Sequence, residues 1–411
     1  MSAKSSLGCR ACGHSELRQV LDLGLQPLAN NLLRPTDLKT QEPRFPLVLY
    51  VCPSCWLIQI GELVPPVELF SEYLYFSSFS DAMLRHAATA ATRYRNEFDL
   101  NASSFVLEIA SNDGYLLKNF VTAGVPCLGI EPAQNIAQVA RDAGVPTETA
   151  FFGRDFALQL AARKGQADLI LGNNVFAHAP DIQDFIQGLK ALLNPKGRVI
   201  LEFPYAVAFL EHREFDTIYH EHVFYFSLLT LIPLFARFGL QVDHVEALPI
   251  HGGSLRLFAS HQGACAVRDS VDTFLEHELK SGLNTMSPYS LFASEVTRLD
   301  NELRTLLTDL KRSGKTIAAY GASAKGSTLL NHFGIGSELL DFVVDRSTHK
   351  QGRLTPGTHL PILAPSALLE RKPDYTLLLT WNFAEEILTQ QTTYRERGGK
   401  FILPIPDVKV V

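Results

Sequence analysis

VLEIASNDGYLL, residues 106 to 117, carries an apolar strand through Glu108 and into the small residues Ala110, Ser111 and Gly114, behind which a helix opens. Such a turn lets a ligand approach the backbone closely, and the helix start supplies N–H groups that lack intrahelical partners. Three more apolar runs follow, VPCLGIE (125–131), ADLILGNN (167–174) and GRVILEFP (197–204), with helical stretches between them. Four strands that end in polar or acidic residues predict a parallel sheet covered by helices on both faces. Downstream, QVDHVEAL (241–248) and GGSLRLFAS (252–260) predict an antiparallel hairpin at the sheet edge, and DAMLRHAATAATRYRNEF (81–98) predicts a helix in front of the sheet.

The chemistry of the first turn narrows its ligand. Glu131 closes the second strand in LGIEPAQN, 23 residues after Glu108, where an acid holds the two hydroxyls of a ribose. A dinucleotide pyrophosphate needs glycine at the first two positions of G-x-G-x-x-G, yet Ala110, Ser111 and Asn112 stand here. The turn therefore points to S-adenosylmethionine rather than NAD, with Glu108, Ala110, Ser111, Asn112, Asp113, Gly114 and Glu131 as its expected contacts. NNVFAH (173–178) places Asn173, Val175 and His178 on the adenine and methyl-donor side. An ordinary strand-to-helix turn with a solvated Asp113 is the plainer alternative.

Composition sets the outer limits. With 411 residues, 46% of them hydrophobic and 19% charged, the chain exceeds one ordinary domain and predicts two or three. A net charge of -6 offers no basic footprint, so nucleic acid is not an expected partner. No apolar run approaches the roughly 20 residues of a membrane span, and MSAKSSLGCRACG lacks the apolar centre of a signal peptide. A cytoplasmic protein is expected.

Four of the six cysteines form two pairs, Cys9 with Cys12 in CRAC and Cys52 with Cys55 in CPSC. Two such knuckles complete a tetrahedral four-thiolate site, for which zinc is the natural occupant. No open coordination position remains, so the metal is expected to be structural, organising a module of loops and short strands with little core. A redox disulfide is the blander reading, and the second pair makes His14 unnecessary as a ligand.

The densest chemistry lies in FDTIYHEHVFYFS (215–227), where Tyr219, His220, Glu221, His222 and Tyr225 fall within seven residues. This is not the H-E-x-x-H zinc motif: the two histidines are one residue apart, whereas Tyr219 and His222 at i and i+3 share a face. A Tyr, a Glu and a His together can remove a carbon-bound proton and steady the resulting enolate, as methylation at carbon requires. Core histidines packed among aromatics are the competing explanation. HGGSLR (251–256) adds His251 and Arg256, able to face an anionic or polar substrate, although hairpin turn chemistry explains its glycines equally well.

Beyond a charged helical stretch that reads as a linker, a second α/β pattern begins with YGASAKG (320–326). Small residues again occupy a strand-to-helix turn, with Lys325 available to a phosphate and Asp345 ending the next strand in FVVDRS. Tyr320, Ala322, Lys325 and Asp345 are the expected contacts of a nucleotide diphosphate. A degenerate domain kept for packing is the alternative.

Taken in this order, the four-cysteine module, EIASNDGYLL, FDTIYHEHVFYFS, HGGSLR and YGASAKGSTLLN resemble the deoxysugar C-methyltransferases along essentially the whole chain. The resemblance implies a zinc-binding domain over residues 1–72, a class I S-adenosylmethionine-dependent (Rossmann-like) methyltransferase domain over 73–280 and a C-terminal Rossmann-like domain over 281–411. It implies as substrate a nucleotide-linked (dTDP) 4-keto-deoxysugar, deprotonated beside its keto group and methylated there, by a monomer. His222 becomes the expected base, Tyr219 and Glu221 its partners, His220 a lesser candidate and Tyr225 a substrate contact. In YLYFSSFS (73–80), Tyr73 and Ser77 resemble the family segment that closes over the cofactor. An oxygen or nitrogen methyltransferase, a noncatalytic binding protein and an NAD oxidoreductase are the competing functions.

Overall fold

The computed structural model describes residues 7–70, 75–250 and 252–411; the expectations for Tyr73 and His251 lie outside them. The N-terminal strands β1 (Arg18–Pro27), β2 (Arg44–Val51) and β3 (Ile58–Ile60) form an antiparallel meander. Along β2 the pattern alternates, so that Leu47, Leu49 and Val51 turn inward and the strand delivers Cys52 directly to the metal knuckle.

The central unit opens with the helix Asp81–Glu97, whose start is capped by the Ser80 hydroxyl and whose buried face is Met83, Ala87, Ala90, Ala91 and Tyr94. Its strands are β4 (Val106–Ile109), β5 (Cys127–Ile130), β6 (Thr147–Glu148), β7 (Ala167–Asn173) and β8 (Leu193–Pro204), all parallel. The short β9 (Phe224–Tyr225) follows, and β10 (Leu240–Leu248) and β11 (Ser254–His261) make the predicted antiparallel hairpin beside β8. Sheet order is β10-β11-β8-β7-β4-β5-β6, so neighbours of β4 lead away in opposite directions and a ligand crevice opens at the strand ends there. This is the class I methyltransferase topology. The two-residue β6 has no apolar run to announce it.

Strand β9 joins neither neighbour in sequence. It pairs with β3 of the N-terminal meander, Ile58 opposite Tyr225 and Gln59 opposite Phe224, so the sheet of the cysteine module ends on the segment that follows His222.

The stretch expected as a linker is the helix Ser287–Arg312, and it is more than a spacer. Tyr289, Phe292, Val296, Leu299, Leu303 and Leu307 form a continuous buried stripe, and the Tyr289 ring stacks on Trp56 at 6.2 Å. Strands β12 (Ile317–Tyr320), β13 (Val343–Val344), β14 (Ile362–Leu363), β15 (Tyr375–Leu378), β16 (Lys400–Leu403) and β17 (Lys409–Val410) form the C-terminal sheet, ordered β14-β13-β12-β15-β16-β17 and parallel except for β17. Among the described residues no helix is long and apolar enough to cross a membrane.

Candidate active site and metal centre

The four cysteine sulfurs of the N-terminal module lie within 4.8 Å of one another, with Cys9 and Cys55 at 3.5 Å and Cys12 and Cys52 at 3.6 Å. Bonds of about 2.3 Å to one tetrahedral ion place sulfurs about 3.8 Å apart, so the cluster fits zinc. The bond to Cys55 holds the Cys9 thiol down to about 5, whereas burial pushes Cys52 up to about 11; such a cluster needs a cation before all four can be thiolates. None of the four lines the large cavity, in keeping with a structural metal.

That cavity, of about 710 Å³, lies where the ends of β4, β5 and β7 face those of β12, β13 and β15. At its central-domain end, Ala110 and Asn112 take left-handed backbone (φ 52° and 50°), a strain of about 1–3 kcal/mol each that the surroundings must hold. They do so through Glu131, whose carboxylate accepts from Asn112 N at 3.0 Å and Ala133 N at 2.8 Å, and through Ser77 N, which donates to Asn112 Oδ1 at 2.9 Å. Burial raises Glu131 to about 7. Ala110, Asn112, Glu131, Asn173, Val175, His178 and Ser77 all line the cavity.

Glu108, Ser111, Asp113 and Gly114 do not line it and shape the turn from behind. A Cβ on Gly129 would strike Ser111, so glycine in β5 makes room for that side chain. Asp113 accepts from Ser78 N at 3.1 Å. Burial, then the charges of Asp113 and Glu131, push Glu108 well above the usual carboxylate range. The acidic turn suits a sulfonium cation: this end holds Glu131 with Asp113 behind it, and the lysines of the lining, Lys325 and Lys350, belong to the opposite end.

Midway, Tyr219 and His222 meet as the i and i+3 residues of a tight turn, His222 N donating to Tyr219 O at 2.9 Å, rather than on a helix. The Tyr219 hydroxyl lies 2.7 Å from His222 Nε2, and His222 Nδ1 lies 2.9 Å from Thr217 O. A carbonyl only accepts, so Nδ1 carries the proton and Nε2 takes the phenol's. Burial and then the charge of Glu221 lift Tyr219 well above the usual phenol range. The His178 ring sits 4.9 Å from that of His222, and burial pulls it down to about 4, so it is neutral.

Several expected residues have other work. His220 is buried, edge-on to Phe45, with Nε2 3.3 Å from Pro46 O, and Glu221 turns back to Asn30; neither lines the cavity. Tyr225 packs on Phe209 and donates to Thr217 O at 2.8 Å, again away from the cavity. Arg256, expected at the substrate, sits in β11 between its cross-strand neighbours Glu202 and Glu246, 2.7 Å and 3.2 Å from their carboxylates, and lies over the Tyr94 ring. The paired strands, invisible in HGGSLR alone, decide its role. Burial raises Glu202, but His86 and Arg256 outweigh it and leave its pKa below the ordinary value.

At the C-terminal end, Asp345 accepts from Ala322 N and Ser347 N, both at 2.8 Å, and the Ser323 hydroxyl caps the helix Ala324–His332. Asp345 and Lys325 line the cavity; Tyr320 packs into the core beneath, and Ala322 lies just behind the wall. Lys325 Nζ is buried without a hydrogen-bond acceptor among the described residues, 4.6 Å from the centroid of Trp381. The Trp381 indole N–H donates to Asp216 at 2.7 Å; burial raises Asp216 to about 6 against the pull of Lys325. Lys350 and Asn382 of this wall, and Asn30, Phe151 and Tyr115 elsewhere, also line the cavity. The sequence singled out none of these five: Tyr115 falls within VLEIASNDGYLL but past its small residues, and the other four stand outside any motif.

Three family models match in succession: a zinc binding domain over residues 9–70, a methyltransferase domain over 83–245 and a C-methyltransferase C-terminal domain over 249–406. The C-methyltransferase NovU of Streptomyces niveus is 39% identical over 404 residues, 98% of this chain and 96% of that protein. An uncharacterized methyltransferase of Mycobacterium leprae, MLBr02584, is 25% identical over 151 residues, 35% of this chain and 56% of its own. Among solved structures, the magnesium protoporphyrin IX methyltransferase of Synechocystis PCC 6803 with bound SAM is 14% identical, covering 44% of this chain and 79% of that one at a TM-score of 0.34, too slight a likeness to inform the site. The chain is thus an S-adenosylmethionine-dependent enzyme with a structural zinc, and it belongs to the C-methyltransferase family that joins a zinc-binding module, a methyltransferase domain and a C-methyltransferase C-terminal domain.

Proposed function

We propose that the enzyme methylates a carbon beside the keto group of a nucleotide-linked 4-keto-deoxysugar, with dTDP as the nucleotide. One observation carries this reading: a single cavity has Glu131 at one end, Lys325 and Lys350 at the other and a hydrogen-bonded Tyr–His pair between. The acidic turn suits S-adenosylmethionine, which when bound supplies an electrophilic methyl group. The buried, unsatisfied Lys325 suits a diphosphate, whose charge would repay an ammonium held away from water.

Between them, His222 Nε2 takes the proton from the carbon beside the ketone once the Tyr219 hydroxyl exchanges Nε2 for the keto oxygen. The C–H electron pair passes into the carbonyl, the Tyr219 O–H steadies the oxyanion, and the enolate carbon then forms its bond to the methyl carbon as the S–C bond breaks. The ketone returns, S-adenosylhomocysteine leaves, and His222 gives its proton to solvent. Thr217 O keeps Nδ1 protonated throughout, which orients the ring. His178, held neutral by burial, packs beside that ring.

In this division of labour residues 1–72 hold the metal, 73–280 the methyl donor and 281–411 the nucleotide. One chain completes the cavity, which supports action as a monomer, and zinc-spaced thiols suit the reducing cytosol. Labelled S-adenosylmethionine offered with a panel of nucleotide-linked keto-sugars should yield a product with the new methyl on the carbon next to the ketone. Without the methyl donor, that carbon should exchange its proton for deuterium. Methyl on oxygen or nitrogen, or no incorporation from any keto-sugar, would sink the proposal.

A further inference from the structure

The contact between Asn30 and Glu221 joins residues 191 positions apart, from different units of the chain. Asn30 lies in the turn that follows β1 and lines the cavity; its Nδ2 donates to both carboxylate oxygens of Glu221, at 2.8 Å and 2.9 Å. The turn itself is fixed from two directions. Asn31 N and Leu32 N bond back to Leu28 O and Asn30 O, while Leu33 pairs with Leu354 of the C-terminal unit in both directions, at 3.0 Å and 2.8 Å. On the other side of the catalytic turn, β3 leaves the Cys55 knuckle and pairs with β9, and Phe45 and Pro46 of β2 hold the His220 ring.

Glu221 is 3% exposed and does not line the cavity. Its charge reaches the reaction through Tyr219, which it affects more than any other charged neighbour does. An amide is the suitable partner for such a carboxylate. It donates to both oxygens without adding a charge beside the phenol, as a Lys or Arg would. Carboxylate position matters because a shift of about 1 Å in the group behind an acid–base pair misaligns the proton it controls.

We propose that Asn30 is a positioning residue for methyl transfer: it fixes the Glu221 carboxylate behind Tyr219 and so makes the zinc module part of the reaction centre. This rests on Tyr219 and His222 being the acid–base pair proposed above. The test uses the full zinc-loaded chain as wild type, N30A, E221Q and the N30A/E221Q double variant, with bound zinc and S-adenosylmethionine affinity measured in each as controls for folding.

The first readout needs no methyl acceptor. In protein labelled with ¹⁵N-histidine, the His222 Nε2 resonance, assigned by its loss in H222Q, should move in N30A and E221Q to a common position; an unmoved resonance overturns the proposal. The second is turnover. N30A should lower kcat about tenfold or more with KM for both substrates changed less than about threefold, and the double variant should be no slower than the slower single. Losses that multiply in the double variant, or a rise in KM with kcat intact, overturn it as well. If N30A loses zinc, N30S and E221Q provide the same comparison. Failure of every keto-sugar would count against the proposed substrate while the histidine resonance still decides the role of Asn30.

Discussion

Glu131 at the end of β5 and Asp345 at the end of β13 do the same local work: each carboxylate reaches back to a backbone N–H of the preceding strand's turn, Asn112 N at 3.0 Å and Ala322 N at 2.8 Å. Both turns begin a helix beside a switch in strand order, and both face one cavity. Their charges differ. Beside Glu131, which burial pushes to about 7, stands Asp113 and no lysine of the lining; around Asp345 stand Lys350, 3.8 Å away, and Lys325 with its ammonium out of water. The backbone architecture thus suits a nucleotide-like group at each turn, and the charge supports the proposed assignment of the two ends. A sulfonium belongs with the acids and a phosphate with the lysines.

The sharpest way to separate the two ends is to remove what stands between them. H222A should lower kcat about 10³-fold while calorimetry finds both ligands bound as before. Loss of either affinity would make His222 a binding residue. Next in size, E131A should weaken S-adenosylmethionine about 10- to 100-fold, since two backbone donors and a ribose lose their acceptor, and leave the KM of the acceptor unchanged.

The same residue gives a pH signature. Its pKa is raised on folding from 4.5 to about 7, so the stability it lends the ligand-free protein is full below pH 4.5 and lost as pH rises through about 7. The span amounts to about 3 kcal/mol, and E131Q should flatten that part of the unfolding free-energy curve measured in urea. An unchanged slope would remove Glu131 as its source.

At the other end, K325A should raise the KM of the nucleotide-linked acceptor about 10- to 50-fold with S-adenosylmethionine binding unaltered. If the methyl donor weakens instead, the two ends have been assigned the wrong way round. Smallest, W381F keeps a ring beneath Lys325 but deprives Asp216 of its N–H partner. It should cost about 1–2 kcal/mol of unfolding free energy, read as a lower Tm, with a modest rise in acceptor KM.

The strand-to-helix turns, the two Cys-x-x-Cys knuckles and the edge hairpin are all local patterns, and each is present where its residues predict it. Within YHEH the i and i+3 spacing picked out the two side chains that meet, although a turn rather than a helix brings Tyr219 and His222 together. HGGSLR misled because an arginine beside glycines looks available, and only the flanking strands show Glu202 and Glu246 on either side of it. Nothing in FYF marks Tyr225 as a strand residue of another unit's sheet, and nothing in the turn after β1 marks Asn30 as a neighbour of Glu221.

The sequence alone therefore determined the identity of the parts: a four-thiolate metal site, a turn shaped for S-adenosylmethionine, a Tyr–His pair and a second turn with a lysine. These depend on residue types at short spacing, where covalent geometry and side-chain chemistry suffice. Only the tertiary structure decided which side chains share a cavity and which are held by partners elsewhere. The contact between Glu202 and Arg256 joins residues 54 apart and that between Asn30 and Glu221 residues 191 apart, and packing, not spacing, sets them.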